Sequence, residues 1–411
     1  MELKPGYKQT EVGVIPEDWE VKRLGDLSDV NAGGTPSRAN PDYWDGEIPW
    51  ITTSEVDFRR ITHAEQFITQ EGINNSAAKL LPAGTILMAL YGQGKTRGKV
   101  GVLCIEAAVN QACAGISLHR GISRDYIFQF LASQYEAIRG LSNSGSQLNL
   151  GGGIVRSIQV LLPPAPEQEA IAEALSDADA LIESLDQLIA KKHRLKQGTM
   201  QELLTGKRRL PGFSGEWVAL RLDAVADIRS GGTPSTNQPE FWEGDIPWCT
   251  PTDITALGQF KYLTQTFRTI TIEGLRSSSA ELIPAHSVVM TSRATIGECA
   301  INIVPVATNQ GFKNFIPFDE TDTDFLYYLL QTKKQDFISL CGGSTFLEIG
   351  KTQLAAFEIK LPATRLEQTA IATVLSDMDI EIAALEAQLT KTRQLKQGMM
   401  AELLTGKTRL V

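Results

Sequence analysis

The chain of 411 residues is poor in the residues from which disulfides, metal sites and membrane spans are built. Its five cysteines are scattered and none forms a C-x-x-C pair, so neither a disulfide framework nor a zinc site is indicated. Its four histidines share no metal-ligand spacing, and we assign them no role. The apolar runs are too short to cross a bilayer, and the N-terminus lacks the apolar stretch of a signal peptide. We therefore expect a cytoplasmic protein.

Length and charge narrow the possibilities further. A chain of 411 residues is too long for one core and should form two or more domains. Its 42% hydrophobic and 21% charged residues are typical of globular proteins. The net charge of −9 argues mildly against a nucleic-acid partner, but phosphate binding needs only a local basic face. The placement of the charges therefore matters more than their sum.

The sequence contains a long internal duplication. The segment AGGTPSRANPDYWDGEIPWITTSEV (32–56) returns as SGGTPSTNQPEFWEGDIPWCTPTDI (230–254), and residues 167–210 return as 367–410 with 25 of 44 residues identical. Each repeat runs from a globular segment of about 150 residues, the usual size of one domain, into a long helical segment. We predict domains over residues 1–165, 166–206, 207–363 and 364–411. Two like halves related by a pseudo-two-fold axis are expected.

The globular segments are predicted to be mixed α/β, with a strand order that cannot be derived. Strands are predicted within residues 84–92, 154–163, 286–294 and 354–362, and amphipathic helices within 124–141 and 322–340.

The helical segments carry an apolar seam with steps of four and three residues, which is typical of a coiled coil. Its members are Ile171, Leu175, Ala178, Ile182, Leu185 and Ile189, repeated as Ile371, Leu375, Met378, Ile382, Leu385 and Leu389. The first half of each segment is acidic and the second half is basic. Only an antiparallel pair places each acidic half beside a basic half, so two long antiparallel coiled-coil helices are predicted, capped by Gly206 and Gly406. Two separately solvated helices are the alternative, but they leave the seam unexplained.

The segment ALYGQGKTRGKV (Ala89–Val100) matches a relaxed phosphate-loop pattern. A true phosphate loop opens a helix, whereas the residues that follow this one predict a second strand. The aligned segment of the other repeat, MTSRATIGEC, has no GKT. An ATPase that uses Lys95 is therefore a disfavoured alternative.

The motifs, in their order and duplication, resemble the specificity subunit of type I restriction–modification systems over nearly the whole chain. They are GGTPS twice, IPW twice, Asn-Gln at 110–111 and 309–310, and LKQGxMxELLTGK twice. The resemblance implies two target-recognition domains, each reading one half of a split double-stranded DNA target. It further implies that the helices act as a spacer and dock two adenine methyltransferase subunits, which can recruit two restriction subunits. It implies no cofactor in this chain, with S-adenosylmethionine used by the partner.

The residues of a catalytic site are missing from the sequence. Methylation of an adenine amino group requires a glycine-rich strand end and an Asn/Asp-Pro-Pro-aromatic tetrapeptide, and neither occurs; the one Pro-Pro, Pro163–Pro164, precedes a helix. No nuclease-like cluster of Asp, Glu and Lys is evident either. A non-catalytic chain is therefore expected. A protein scaffold that binds no DNA stays open as an alternative.

The candidate DNA contacts are basic or small polar residues in glycine-rich loops. Lys and Arg neutralise phosphates, and Arg also reads guanine in the major groove. Those of the first domain are Gly34, Thr35, Ser37, Lys95, Thr96, Arg97, Lys99, Asn110, Gln111 and Ser146. Those of the second are Thr233, Ser235, Thr291, Ser292, Arg293, Asn309, Gln310 and Ser344. The loops differ between the repeats, which predicts an asymmetric target.

Purely structural interpretations compete with these assignments of DNA contacts. The basic loop could be a solvated hairpin tip, GGTPS could be a structural turn, and the four duplicated tryptophans are better explained as core than as platforms for a displaced base. The residues predicted to form the helix pair and the docking surface are Ile171, Leu175, Ile182, Leu185, Ile371, Leu375, Ile382 and Leu385.

Overall fold

The structure, a computed structural model, describes residues 5–92, 95–141, 149–258, 260–341 and 347–410. The chain separates into two compact units: unit 1 comprises Met1–Asp186 and Ala387–Val411, and unit 2 comprises Gln187–Glu386. Each unit therefore takes one globular domain, the first half of one long helix and the second half of the other. The units do not follow the linear boundaries between domain and helix, because each long helix is divided between them.

Unit 1 is built mostly from short strands. Its strands are β1 (Tyr7–Thr10), β2 (Gly13–Pro16), β3 (Glu20–Arg23), β4 (Ser28–Ala32), β5 (Trp44–Ile51), β6 (Arg60–Ile61), β7 (Gln66–Ile68), β8 (Leu80–Leu81), β9 (Ile86–Ala89), β10 (Val100–Leu103), β11 (Ala107–Val109), β12 (Cys113–Leu118) and β13 (Gln159–Leu162). Its helices are α1 (Leu24–Leu27), α2 (Gln70–Asn74), α3 (Arg124–Ser133), α4 (Tyr135–Gly140), α5 (Gly152–Ser157) and the first part of α6 (Ala165–Leu203).

Unit 2 repeats most of this order, without counterparts of β1, β2 and β8 among the strands of its described residues. Its strands are β14 (Trp217–Arg221), β15 (Ala226–Ser230), β16 (Trp242–Cys249), β17 (Tyr262–Leu263), β18 (Arg268–Ile270), β19 (Ser287–Thr291), β20 (Cys299–Asn302), β21 (Ala307–Thr308), β22 (Phe312–Pro317) and β23 (Glu358–Pro362). Its helices are α7 (Pro251–Ala256), α8 (Ile272–Arg276), α9 (Thr323–Thr332), α10 (Lys334–Ser339), α11 (Lys351–Ala356) and the first part of α12 (Arg365–Leu403).

The two globular domains have the same order in their five-stranded sheets, and their second sheets differ by one strand. Unit 1 contains a five-stranded sheet in the order β4-β12-β9-β10-β6 and a four-stranded sheet in the order β7-β5-β11-β8. Unit 2 contains the matching sheets β15-β22-β19-β20-β17 and β18-β16-β21. Both five-stranded sheets are antiparallel except at their last pair, β10 with β6 and β20 with β17. The sequence duplication is thus a duplication of fold, and the mixed α/β class is confirmed.

One amphipathic helix covers the five-stranded sheet of each domain. Ser123 is the N-cap of helix α3, and its side chain accepts a hydrogen bond from the Tyr126 amide; Asp322 caps α9 in the same way by accepting from the Phe325 amide. Tyr126 and Leu131 are fully buried in the core of unit 1. Burial of one such side chain stabilises the fold by about 1.5–3 kcal/mol, so this helix fixes the sheet on one face.

The prediction of a strand over residues 154–163 is wrong in its first part. Residues Gly152–Ser157 form helix α5, and only Gln159–Leu162 form a strand, β13, which pairs with β3. The second repeat departs in the same way, with α11 ahead of β23. Val155 is fully buried, so the β-branched residues that suggested a strand instead anchor one helical turn.

The two long helices are α6 and α12, with 39 residues each, which corresponds to a length of about 58 Å. Within unit 1, Ile171 and Leu175 of α6 share one core with Leu403 and Leu404 near the end of α12. Within unit 2, Ile371 and Leu375 of α12 share the other core with Leu203 and Leu204. In each unit the start of one helix therefore lies beside the end of the other.

Ion pairs show the direction of the helices directly. In unit 1, Arg393 lies 2.9 Å from Asp186 and Lys396 lies 2.5 Å from Asp179, so residue numbers rise along one helix as they fall along the other. In unit 2, Lys192 lies 2.5 Å from Glu381, and Lys196 pairs with Asp379. Basic halves therefore meet acidic halves, and the antiparallel prediction is confirmed in each unit.

The predicted seam is buried, though not evenly. Ile182 and Leu385 are only half-buried, whereas their counterparts in the other helix, Ile382 and Leu185, are 3% and 5% exposed. The helices end before Gly206 and Gly406, which both adopt a φ of +70°. A Cβ atom at Gly406 would lie 2.5 Å from Pro16, so glycine is needed there for close approach as well as for backbone conformation.

Candidate nucleic-acid interface

Most of the predicted DNA contacts of unit 1 come together at one end of the five-stranded sheet. Backbone hydrogen bonds join the loops there: the Gly34 amide donates to Val109 O at 2.8 Å, and the Leu90 amide donates to Ala112 O at 2.7 Å. The Leu150 amide in turn donates to Leu90 O at 3.0 Å. We call this surface the loop surface of unit 1, made of residues 33–37, 90–92, 95–99, 110–112 and 149–151.

Unit 2 has an equivalent loop surface. The Gly232 amide donates to Thr308 O at 2.8 Å, the Ser292 amide to Gly311 O at 2.7 Å, and the Ile349 amide to Ser292 O at 3.1 Å. The loop surface of unit 2 is made of residues 231–235, 292–297, 309–311 and 347–350. Ser146 and Ser344, predicted as contacts, lie outside the described residues.

A Thr–Gln pair stands on each loop surface. The Thr35 hydroxyl donates to Oε1 of Gln111, and the Thr233 hydroxyl donates to Oε1 of Gln310. Both glutamines are exposed. Asn110 and Asn309 have a structural part in addition, because each side-chain oxygen accepts a backbone hydrogen bond that shapes its turn. The structure thus joins two motifs that are 76 or 77 residues apart in the sequence.

The GGTPS motif supports this pair by packing tightly. A Cβ atom on Gly33 would lie 2.2 Å from Val109 O, and one on Gly34 would lie 2.2 Å from the Ala78 amide nitrogen. The Trp50 indole donates to Gly34 O at 3.0 Å. Gly34 is buried, so its predicted DNA contact is not supported by this geometry. The motif is a structural turn that presents Thr35 and Ser37.

The basic loop of unit 1 is followed by strand β10 and not by a helix. The nucleotide-binding alternative is therefore unsupported in the described part of the loop, since a phosphate loop requires the start of a helix. Lys95 is exposed, whereas Lys99 lies 2.6 Å from Asp57. Arg97 is half-buried and donates to Arg139 O at 3.0 Å. Among residues 95–99, Lys95 is thus the one exposed residue.

Two predictions for unit 2 are corrected by burial. Thr291 and Ser292 are both 0% exposed. The Thr291 hydroxyl donates to Thr295 O at 2.5 Å, inside the loop that it supports. These two side chains end a strand and face the domain interior, so they build the loop and do not reach a ligand. Arg293, the next residue, is exposed and lies 2.9 Å from Glu348.

Lys313, which the sequence did not single out, lies below that ion pair. It belongs to β22 and is 5% exposed. Its ammonium lies 3.4 Å from Ser292 Oγ, 3.3 Å from Phe312 O and 3.9 Å from Glu348. Burial lowers the pKa of Lys313, while the Glu348 carboxylate opposes this change. The available signal was a lysine within the largely apolar segment GFKNFIPF.

The duplicated tryptophans are structural. Trp50 and Trp248 are 2% and 4% exposed. Trp44 and Trp242 are half-buried, and each has an arginine stacked on its ring, Arg38 at 3.9 Å and Arg268 at 3.7 Å. Base stacking on these rings is therefore not supported.

Each domain is tied to the helix pair by one carboxylate with two partners. In unit 1, Asp179 accepts from Gln129 at 2.7 Å and from Lys396 at 2.5 Å. In unit 2, Asp379 accepts from Tyr328 at 2.6 Å and from Lys196. Since the partners come from a domain helix and from the other long helix, this contact holds the domain to the pair.

The described residues hold no group of three or more His, Cys, Asp or Glu side chains that could bind a metal ion. Burial raises the pKa of the Cys113 thiol to about 12, which makes it a poor nucleophile at neutral pH. In the same described ranges, no helix combines the length and apolarity needed to cross a membrane.

Comparison with known proteins identifies the family. The family model described as type I restriction modification DNA specificity domain matches residues 16–191 and 214–395. The chain belongs to this family. As a specificity subunit, it is a non-catalytic DNA-recognition chain.

Individual relatives agree with this assignment. The type I restriction enzyme MjaVIII specificity subunit of Methanocaldococcus jannaschii is 25% identical, over 96% of this chain and 94% of that protein. The MjaIX specificity subunit of the same organism is 40% identical over 166 residues, which are 40% of this chain and 38% of that protein.

Solved structures share the fold. The type I restriction–modification S subunit from M. genitalium superposes with a TM-score of 0.60 at 14% identity, over 98% of both chains. A chain from a structure on complex assembly and conformational transition of the type I R-M system gives a TM-score of 0.58 at 18% identity, over 96% of this chain and 99% of that one. At these identities the likeness shows the fold alone.

Proposed function

We propose that each loop surface reads one half of a split, asymmetric DNA target. The observation that carries this proposal is that the two domains share one frame but differ in the chemistry that it presents. The Thr–Gln pair occurs on both loop surfaces. Lys95 stands on one, and the Arg293–Glu348 ion pair stands on the other. The shared protein frame could contact the DNA sugar-phosphate backbone, which is the same at every sequence. The side chains that differ between the domains could contact two different base sequences.

The proposal assigns phosphate contacts and base contacts to different residues. Exposed lysines such as Lys95 neutralise phosphates at either sequence. Thr35 and Gln111 are uncharged, present in both domains as Thr233 and Gln310, and therefore suit a contact that does not depend on sequence. Arginine can form two hydrogen bonds with the O6 and N7 atoms of guanine. The net charge of −9 does not oppose this, because these loops are only a small part of the surface.

We propose that the helix pair sets the gap between the half-sites. Two readers on one side of B-DNA are separated by about one helical turn, roughly 34 Å. A gap of about five to eight unread base pairs between short half-sites is expected on that spacing. The continuous 39-residue helices α6 and α12 support this role, because a helix of that length is far stiffer than a loop.

The proposed partners are double-stranded DNA and two adenine methyltransferase subunits, with two restriction subunits bound through them. In this scheme the methyltransferase subunits use S-adenosylmethionine, and this chain recognises the DNA target sequence and binds no cofactor. The helix pair is the proposed docking surface. Because the chromosome is its target, the complex is proposed to act in the cytoplasm.

The test is to co-express this chain with the methyltransferase subunit of its own system and to map modified adenines by single-molecule sequencing. The expected result is a split motif with unequal halves and a fixed gap. A stable complex that modifies no split motif would contradict the proposal. If no complex forms, the proposed docking role fails. The matched control is the methyltransferase expressed alone, which should leave the DNA unmodified.

A further inference from the structure

Unit 2 has a charged cluster at its loop surface that unit 1 lacks. Arg293 and Lys313 share one carboxylate, that of Glu348, at 2.9 and 3.9 Å. Arg293 and Glu348 also face each other across an isolated β-bridge, so their backbones are fixed side by side. The cluster thus has two cations and one anion; the side chains of Arg293 and Glu348 are 45% and 39% exposed, whereas that of Lys313 is 6% exposed.

The equivalent positions of unit 1 are identified by strand register. Met290 of β19 is paired with Lys313 of β22, and Met88 of β9 is paired with Ala114 of β12. Ala114 therefore occupies the place of Lys313. By the same alignment, Tyr91 occupies the position equivalent to Arg293, and Asn149 occupies the position equivalent to Glu348. Unit 1 has no charge at any of these three positions, although its backbone frame is the same.

The burial of the Lys313 ammonium group needs an explanation. Removing an ammonium group from water is unfavourable unless its charge is well paired. The contacts of Lys313 with Ser292 and Phe312 are long, 3.4 and 3.3 Å, and its distance to Glu348 exceeds a hydrogen bond. An alanine fills the same place in unit 1 without difficulty, since Ala114 is 1% exposed.

We infer that Arg293 reads a guanine in the half-site of the second domain, and that Lys313 is the positioning residue that takes over Glu348 when Arg293 turns to the DNA. This inference rests on the proposed function. Glu348 lies within ion-pair distance of both Arg293 and Lys313 and can pair with either one. In the free protein it holds Arg293 in place. Once Arg293 binds O6 and N7 of guanine, Glu348 pairs with Lys313.

This role as a second partner for Glu348 explains the burial of Lys313. Without it, the turn of Arg293 toward DNA would leave the Glu348 carboxylate unpaired beside a chain of phosphates, where like charges repel. With it, the carboxylate moves by about 1 Å to reach hydrogen-bond distance of the ammonium. The arginine is thereby kept oriented in the free protein and released at little cost on binding.

The test uses the complex with the methyltransferase subunit and three variants, Arg293→Ala, Lys313→Met and Glu348→Gln. Methylated motifs are mapped, and binding to the mapped target and to single-base substitutions of it is measured by fluorescence anisotropy. Arg293→Ala is expected to relax one guanine position in one half-site, with discrimination there reduced on the order of 5- to 150-fold. The other half-site and the gap should be unchanged.

Lys313 is tested by a double-mutant cycle. Lys313→Met keeps the buried chain but removes the charge, and it should weaken target binding in the parent background. In the Glu348→Gln background, where no carboxylate needs a partner, Lys313→Met should leave binding unchanged. An equal loss in both backgrounds would overturn the positioning role. The control is Lys334→Met, which breaks an ion pair with Glu298 in the same domain and should not alter the motif.

The outcomes separate this inference from the proposed function. If the parent complex modifies a split motif and Arg293→Ala leaves every position of it intact, guanine reading by Arg293 is wrong while the DNA-reading function stands. If Arg293→Ala lowers affinity equally for all sequences, the residue contacts phosphate and not a base. Thermal unfolding of each variant identifies any that lose binding by unfolding. If the parent modifies no split motif, both proposals fail together.

Discussion

Arg409 and Glu167, 242 residues apart in the chain, form a two-point ion pair in unit 1. The Nε and Nη2 atoms of the arginine lie 2.7 and 2.8 Å from the two carboxylate oxygens. The Trp19 indole donates to the same carboxylate at 2.9 Å, and Glu167 is 1% exposed. Unit 2 has the same contact between Arg209 and Glu367, at 2.6 and 2.7 Å. In both units the segment that follows one long helix is thereby fixed to the start of the other helix.

Removing that carboxylate should destabilise unit 1 strongly. Glu167→Ala leaves the Trp19 indole without its acceptor and leaves Arg409 paired with Asp18, and an unsatisfied buried donor costs about 1–3 kcal/mol. Urea unfolding of the purified chain measures the change. Glu169→Ala is the control, because Glu169 lies two residues further along the same helix but is exposed, and its loss should change the free energy of unfolding by less than about 0.5 kcal/mol. Equal effects of the two substitutions would contradict this account.

The same arginine makes the stability contribution of Asp18 depend on pH. A hydrogen bond from Arg409 holds the pKa of Asp18 below its usual value of 3.8. A carboxyl group whose pKa is lowered by folding contributes stability above its unfolded pKa, and this contribution is lost as pH falls through the folded pKa. Asp18→Asn should therefore lower the thermal midpoint at pH 7, and the difference from the parent should shrink as pH falls below 3.8 and disappear below the folded pKa of Asp18.

The control for Asp18 is a carboxylate that lacks the ion pair. Glu17→Gln removes the neighbouring exposed carboxylate and should leave the midpoint nearly unchanged at both pH values. A difference between Asp18→Asn and the parent that persists in acid would show that the substitution acts by something other than the charge.

Local pattern and charge predicted the helix pair well. The seam and the acidic and basic halves lie within 39 consecutive residues of each helix, so their meaning does not depend on distant contacts. The antiparallel pairing followed because it alone matches opposite charges. Strand order could not be predicted, since β12 pairs with β4 and β9, and such non-local pairings leave no local sequence pattern.

The candidate site was predicted in outline but not in detail. The segments that converge were identified because they recur, and recurrence marks a shared frame. Burial at single positions was not readable: Ser292 and Arg293 are neighbours, yet one is fully buried and the other exposed. Lys313 was missed because a strand residue shows its depth only when the covering loop is known.

Lys95 is expected to act on the DNA backbone and not on base sequence. It is exposed and makes no ion pair with any residue in the described ranges, whereas Lys99 is bound to Asp57 at 2.6 Å. Lys95→Ala should weaken binding to target and non-target DNA alike and reduce the slope of log K against log salt by about 0.9. Lys99→Ala is the matched control, and its effect should be smaller because its charge is already paired. A motif altered by Lys95→Ala would show a base contact instead.

Lengthening the helix pair should widen the unread gap. An insertion of Glu-Ala-Ala-Lys after Lys191 adds about 6 Å of helix and slightly more than one turn, so the seam keeps facing its partner. With base pairs about 3.4 Å apart, the gap in the methylated motif should grow by one or two base pairs while both half-sites persist. A second variant carries the same insertion after Lys391 as well, which lengthens both helices equally and preserves their charge pairing.

The control for the insertion places the same four residues after Gly212, in the connection between α6 and β14. That connection lies outside the helix, so the gap should stay as in the parent. An unchanged gap in the helix variants would contradict the spacer role, because the gap would then be set by something other than helix length. Altered half-sites would instead contradict the assignment of base reading to the loop surfaces, which the insertion leaves untouched.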